Sequence, residues 1–135
     1  MRKIFTVGAA VLLSVNLLAQ NLSGVESVEY DPINNRYLAS SDGSSIVAIA
    51  PNGGLSYFGS SAVASYGMEV MNGTLFAINA TTIKGYDLVS EDEVMSLTIG
   101  SAQFLNGMGS NGVDKLWVSD FGAKKIYQVD IPNLA

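Results

Sequence analysis

Arg36-Tyr37-Leu38-Ala39-Ser40-Ser41, Thr74-Leu75-Phe76-Ala77-Ile78-Asn79 and Lys115-Leu116-Trp117-Val118-Ser119-Asp120 are three copies of one pattern, a short apolar strand ending in a small or polar residue. After each comes a turn and a second strand opening on isoleucine: Ile46-Val47-Ala48-Ile49, Ile83-Lys84-Gly85-Tyr86 and Ile126-Tyr127-Gln128-Val129. The first strands begin at residues 36, 74 and 115, so the periods are 38 and 41 residues. A repeat of that length guides the fold more strongly than local propensity, because one unit cannot bury its apolar face and must stack on its neighbours. β-Propeller blades of the WD type run about 40–45 residues.

Further strands complete each unit. An inner strand is expected at Val25–Tyr30 and an outer one at Leu55–Phe58 in the first copy; the second copy offers Gly67–Met71 and Val94–Ile99. The third offers only the inner strand, Leu105–Ser110. Turn signals fall between them at Asn34-Asn35, Asp42-Gly43, Asn52-Gly53-Gly54, Asn72-Gly73 and Asn111-Gly112. Such pairs accept the positive φ angles of tight hairpins. No helical apolar period is sustained after residue 20. The pattern predicts an all-β β-propeller of about two and a half four-stranded blades, near 24–60, 65–100 and 104–135. Closed propellers use about 4–8 blades, so residues 20–135 are expected to be a propeller fragment or to assemble with a partner.

The chain opens differently. Met1-Arg2-Lys3 is a short basic region, and Ile4 to Leu18 is an apolar run of 15 residues before the small Ala19. That is the layout of a secretory signal peptide over residues 1–19; the run is shorter than the ~20 residues of a membrane span. Cleavage would leave Gln20 as the new N-terminus and a mature chain of 5 basic and 12 acidic residues. Export to the periplasm or the extracellular space is expected, with no membrane attachment after cleavage.

Composition narrows the chemistry. The 135 residues contain no His and no Cys, which removes imidazole bases, His-based zinc sites, thiol nucleophiles and disulfides. The net charge of −5 and the lack of a basic cluster beyond Lys124-Lys125 exclude phosphate-backbone binding, so nucleic acid is not an expected partner.

Gly24-Val25-Glu26-Ser27-Val28-Glu29-Tyr30-Asp31-Pro32, closed by Arg36-Tyr37-Leu38, resembles the opening blade of the senescence-marker-protein/gluconolactonase/luciferin-regenerating-enzyme-like family. Phe104-Leu105-Asn106-Gly107-Met108, followed by the Lys115–Asp120 strand, is similar to that family's Asn-Gly-Leu blade start and Leu-Tyr-Val-Ala-Asp strand. NHL-repeat propellers share the Leu-Tyr-Val-Asp and Ile-Tyr features. The resemblance implies a six-bladed ring, a divalent cation (Ca²⁺ or Mg²⁺) in the central channel, and hydrolysis of a small-molecule lactone or ester. It also implies that Glu26 and Asn106 are metal ligands, at 11 residues before Tyr37 and 10 before Leu116. In that chemistry the cation polarises the carbonyl and an acidic base activates water; the base would lie in blades absent here. Val28 stands where the family has Pro, Asn106 is one residue short of the family spacing, and Ser65-Tyr66 supplies no carboxylate in the second copy. The alternative is that Glu26 and Asn106 satisfy backbone groups at strand starts, within a non-catalytic platform for protein or surface carbohydrate.

Other signals carry less. Gly107-Met108-Gly109-Ser110-Asn111-Gly112 matches G-x-G-x-x-G, but a strand follows where a phosphate-binding helix is required. Glu91-Asp92-Glu93 reads as a solvated loop tip, and Asp42 lacks the ligand alternation of an EF-hand. Asn21, Asn72 and Asn79 each open a glycosylation sequon. Tyr37, Phe76 and Trp117 form an aromatic stripe expected to pack blade against blade.

Overall fold

The computed structural model describes residues 21–131, so the leader expected at residues 1–19 lies outside the described residues. Every regular element among them is a β-strand. β1 (Val28–Asp31), β2 (Arg36–Ser41), β3 (Ser45–Ile49) and β4 (Leu55–Tyr57) form the first sheet, in that order. β5 (Met68–Met71), β6 (Thr74–Asn79), β7 (Thr82–Asp87) and β8 (Glu93–Thr98) form the second. β9 (Leu105–Ser110), β10 (Lys115–Asp120) and β11 (Lys125–Asp130) form the third. All neighbours pair antiparallel, so each repeat is a meander with its first strand at one edge.

The turns sit where the sequence placed them. Asn72 and Gly73 both take positive φ, 52° and 76°, which suits a two-residue hairpin of the right-handed twist. Between β9 and β10 the loop is longer: Asn111 Oδ1 accepts the amides of Val113, Asp114 and Lys115, and its backbone N–H donates to the Lys115 carbonyl. β1 begins at Val28, three residues later than expected from the sequence. Ser40 Oγ explains the difference, because it accepts the amides of both Glu26 and Ser27 in place of a ladder carbonyl.

The sheets stack face to face around two cores. Leu38, Ile46 and Ala48 of the first sheet meet Met68, Leu75, Ala77, Tyr86 and Leu88 of the second, with Phe58, Ala62 and Ala64 from the connecting segment closing the layer. Phe76, Ile78 and Ile83, on the opposite face of the second sheet, meet Leu105, Leu116 and Val118 of the third. Strand alternation produces this split: Leu75 and Ala77 point one way, Phe76 and Ile78 the other. The middle sheet is therefore apolar on both faces, and β6 is buried at five consecutive residues, Thr74 to Ile78. Asp31, fully buried, is held by Arg36 at 2.9 Å, and Arg36 also reaches Glu91 across the junction at 2.9 Å.

Register corrects the aromatic stripe. Leu38 pairs with Glu29, Phe76 with Glu69 and Trp117 with Gly109, so Leu38, Phe76 and Trp117 are the equivalent residues. Tyr37 is one residue out of phase and points to the opposite face. Only Phe76 packs between sheets; Tyr37 is 53% exposed and Trp117 38% exposed, because both stand on faces that carry no further sheet among the described residues.

Candidate functional site

The first strands of the three sheets lie side by side and are cross-linked. The Gly67 amide donates to the Asn106 carbonyl at 2.8 Å, and the Met68 amide to Ser27 Oγ at 3.2 Å. The approach at Gly67 leaves no room for a side chain: a Cβ there would lie 2.7 Å from the Asn106 carbonyl oxygen. Glycine is required by that closeness, not by its φ.

The same local device recurs at the start of each inner strand. Ser40 N–H donates to the Ser27 carbonyl and Ile78 N–H to the Gly67 carbonyl, while Ser119 Oγ accepts from Gly107 N–H. Ser27, Gly67 and Gly107 are thus equivalent, and so are the residues just before them, Glu26, Tyr66 and Asn106. The polar residue that ends each second strand reaches back over the same end. Ser41 Oγ donates to the Ser23 carbonyl, Asn79 Oδ1 accepts from Ser65 Oγ, and Asp120 accepts the amides of Gln103, Phe104 and Ala123. Burial opposes the charge on Asp120, but those N–H donors outweigh it and hold its carboxyl below the ordinary carboxylate range.

Glu26 and Asn106 therefore share a place in the repeat, at one end of the sheets, and both are exposed. They do not share a cavity. Glu26 lines a cleft of about 450 Å³ with Ser65, Tyr66, Gln103 and Phe104. Asn106 lines another of about 580 Å³ with Ser119, Phe121, Lys125 and Ile126. An aromatic row joins the two clefts: Tyr66 meets Phe104 edge-on at 4.8 Å, and Phe104 meets Phe121 edge-on at 6.1 Å. Phe121 is 76% exposed. Among the described residues no three acidic side chains converge as a metal-binding group. Two oxygen donors in separate clefts fall short of the roughly six to eight that Ca²⁺ takes, so these residues alone do not make a cation site.

Deeper along the inner strands lies a pair that the sequence reading passed over. Glu29 and Glu69 are equivalent in register, facing Leu38 and Phe76. Glu69 Oε1 accepts from Ser110 Oγ of the next inner strand at 2.6 Å. Burial pushes the Glu29 carboxyl up, the Glu69 charge pushes it further, and the Val70 amide partly offsets both. Counting from the strand anchors hides the match, because the β1–β2 turn is two residues longer than the β5–β6 turn. Counting from the cross-strand partner reveals it.

Among the sequons, the Asn72 side chain donates to the Val113 carbonyl and the Asn79 side chain accepts from Ser65. In comparisons with known proteins, the chain matches no protein-family model and no curated sequence.

Proposed function

We propose that the chain forms about two and a half blades of an exported β-propeller whose inner-strand end is a binding face for a carbohydrate or another small polar ligand. The observation that carries this reading is the aromatic row Tyr66–Phe104–Phe121 running between two clefts edged by amide and hydroxyl groups. Exposed rings stack on the apolar faces of sugars while neighbouring polar groups fix orientation. The propeller arrangement is supported by the side-by-side inner strands and by the repeated stacking of one sheet face on the next. Glycan-array binding followed by calorimetry tests the face. Phe121→Ala is expected to weaken the best ligand roughly tenfold, about 1.4 kcal/mol, without changing the melting temperature. An unchanged affinity removes the row from the site. Export is tested by N-terminal sequencing, which is expected to begin at Gln20.

A second reading is supported by the equivalence of Glu26 and Asn106: a divalent-cation site completed by ligands beyond those described, serving lactone or ester hydrolysis. A bound cation would supply Lewis-acid polarisation of the carbonyl. Calorimetric titration with Ca²⁺ and Mg²⁺ is its test. In that reading Glu26→Gln weakens binding in the complete protein, because it removes a formal negative charge; equal affinities return Glu26 to the strand-start role.

A further inference from the structure

The two clefts at the inner-strand end carry opposite charge. Among the described residues Glu26 is the one charged side chain lining the first cleft, where it stands with the Tyr66 and Phe104 rings. Lys124 and Lys125 line the second with Phe121, against the single carboxylate of Asp120. Asp120 is 1% exposed and is taken up by the amides of Gln103, Phe104 and Ala123, so the solvent side of that cleft is positive. Neither end is neutralised from within. The ion pairs among the described residues engage Arg36, Lys84 and Lys115, and none reaches Glu26, Lys124 or Lys125.

Each end selects a different group. A carboxylate beside two aromatic rings suits an ammonium, which takes a charge-assisted hydrogen bond from the first and is attracted to the faces of the second. Two lysine ammoniums suit a carboxylate. The aromatic row links the ends, because Phe104 lines the first cleft, Phe121 lines the second, and their rings are 6.1 Å apart. A short ligand lying along the row therefore reaches both. The net charge of −5 repels a purely acidic chain, so a ligand that carries both signs is favoured over one that carries only carboxylates.

We propose that the ligand of this face is a zwitterionic glycan, with the ammonium of an amino sugar in the Glu26 cleft and the carboxylate of a uronic acid at Lys124 and Lys125. A sugar ring lies on the aromatic row between them. This inference rests on the carbohydrate reading of the face and adds the charge of the ligand to it.

The experiment is calorimetric titration with four tetrasaccharides: N-deacetylated heparosan, heparosan, chitosan and N-acetylated chitin. The two members of each backbone pair differ only in whether the amine is free. Titrations run at about pH 6, which keeps a sugar amine protonated and a uronic acid ionised, and with EDTA present, so that no divalent cation at Glu26 carries the effect. N-deacetylated heparosan, which has both charges, is expected to bind tightest. Glu26→Gln should weaken the two free-amine sugars roughly fivefold and leave the acetylated two unchanged, as an exposed ion pair allows. Lys124→Gln with Lys125→Gln should weaken only the two uronic-acid sugars, by a similar factor. Salt at about 1 M, where screening acts within ~3 Å, should erase both preferences. Phe121→Ala should weaken all four alike, because stacking does not depend on the charge of the sugar. Equal affinities across the four sugars overturn the charge assignment and leave the aromatic face standing. So does a Glu26→Gln loss shared by acetylated and free-amine sugars, which would make Glu26 structural. Binding of none of the four overturns the carbohydrate face and this inference together.

Discussion

The middle sheet and its two flanking sheets are built from the same repeat, yet they solve opposite problems. In β6 of the middle sheet, successive residues Leu75, Phe76, Ala77 and Ile78 are all essentially inaccessible, because each face has a neighbour. In β10 of the third sheet, Leu116 and Val118 are fully buried while Trp117 between them is not. The flanking strands keep an apolar residue, Tyr37 or Trp117, on a face that no other sheet among the described residues covers. Retaining large apolar groups on two unmatched faces is costly for a solitary chain and useful for one that continues the stack.

Phe76→Ala and Trp117→Ala give the sharpest contrast. They remove equivalent residues, one 1% exposed and one 38% exposed. Truncating the buried phenylalanine is expected to cost about 3–5 kcal/mol in chemical denaturation, through lost transfer energy and the cavity left behind. Truncating Trp117 should cost less than half as much, because its side chain is already partly in solvent. Equal losses would mean that the third sheet's Trp117 face is packed in some other way.

Gly67→Ala against Gly109→Ala comes next. Both glycines lie near the equivalent inner-strand starts, but a Cβ on Gly67 would meet the Asn106 carbonyl at 2.7 Å and the Met108 amide nitrogen at 2.9 Å. On Gly109 it would meet nothing within 4 Å. Backbone cannot move aside as a side-chain tip can, so Gly67→Ala is expected to destabilise by about 1–3 kcal/mol. Gly109→Ala should be neutral or slightly stabilising, because alanine has less unfolded-state entropy to lose. Urea midpoints of the two variants decide this, and a tolerated Gly67→Ala would show that the second and third inner strands are not in close register.

How much of this was legible in advance follows from what each signal encodes. The strand anchors, the isoleucine-led second strands and the Asn-Gly and Asp-Gly turns declare themselves, because local chemistry dictates them. The sheet count and pairing order follow from the repeat. Which face of each strand would be covered did not, since burial depends on how many sheets stand beside it: Tyr37, Phe76 and Trp117 look alike in sequence and differ in place. Glu26 and Asn106 were singled out by a family resemblance and by spacing along the chain, which can align two residues in the repeat but not bring them into one cleft. Glu69 was missed because a two-residue difference in turn length shifts it against the anchors.

Acid separates the sheets in a smaller and more local way. The end of each second strand is tied back by Ser41, Asn79 or Asp120, and of these only Asp120 titrates. Its folded pKa is depressed, so its contribution is complete above the ordinary carboxylate value of about 4 and is lost as pH falls through the folded pKa. Amides of Gln103 and Phe104 are expected to lose exchange protection on acidification, while Ser65, bound to the Ile78 carbonyl, keeps its own. Asp120→Asn should flatten that acid response. An identical acid response in the variant would assign the loss to other carboxylates, such as the buried Asp31.

Glu29→Gln carries the smallest expected effect and tests the inner strands rather than the cores. Glu29 of the first sheet and Glu69 of the second are equivalent, but their surroundings differ. Glu69 has the Ser110 hydroxyl of the next strand, whereas Glu29 has burial and the Glu69 charge against it, relieved partly by the Val70 amide. A carboxyl whose folded pKa is raised contributes stability that is full below its unfolded pKa and lost as pH rises through the folded one. At neutral pH the ionised Glu29 therefore works against the fold, and Glu29→Gln should raise the melting temperature slightly, less than any change above. Below pH 4 the gain should vanish, because wild-type Glu29 is then as neutral as glutamine. Glu26→Gln, at an exposed position, should leave melting unchanged at either pH. Should Glu29→Gln instead lower the melting temperature at neutral pH, the bond from the Val70 amide outweighs burial and repulsion together. The first two inner strands would then be joined by a favourable charge-assisted link, equivalent to the Glu69–Ser110 bond between the second and the third.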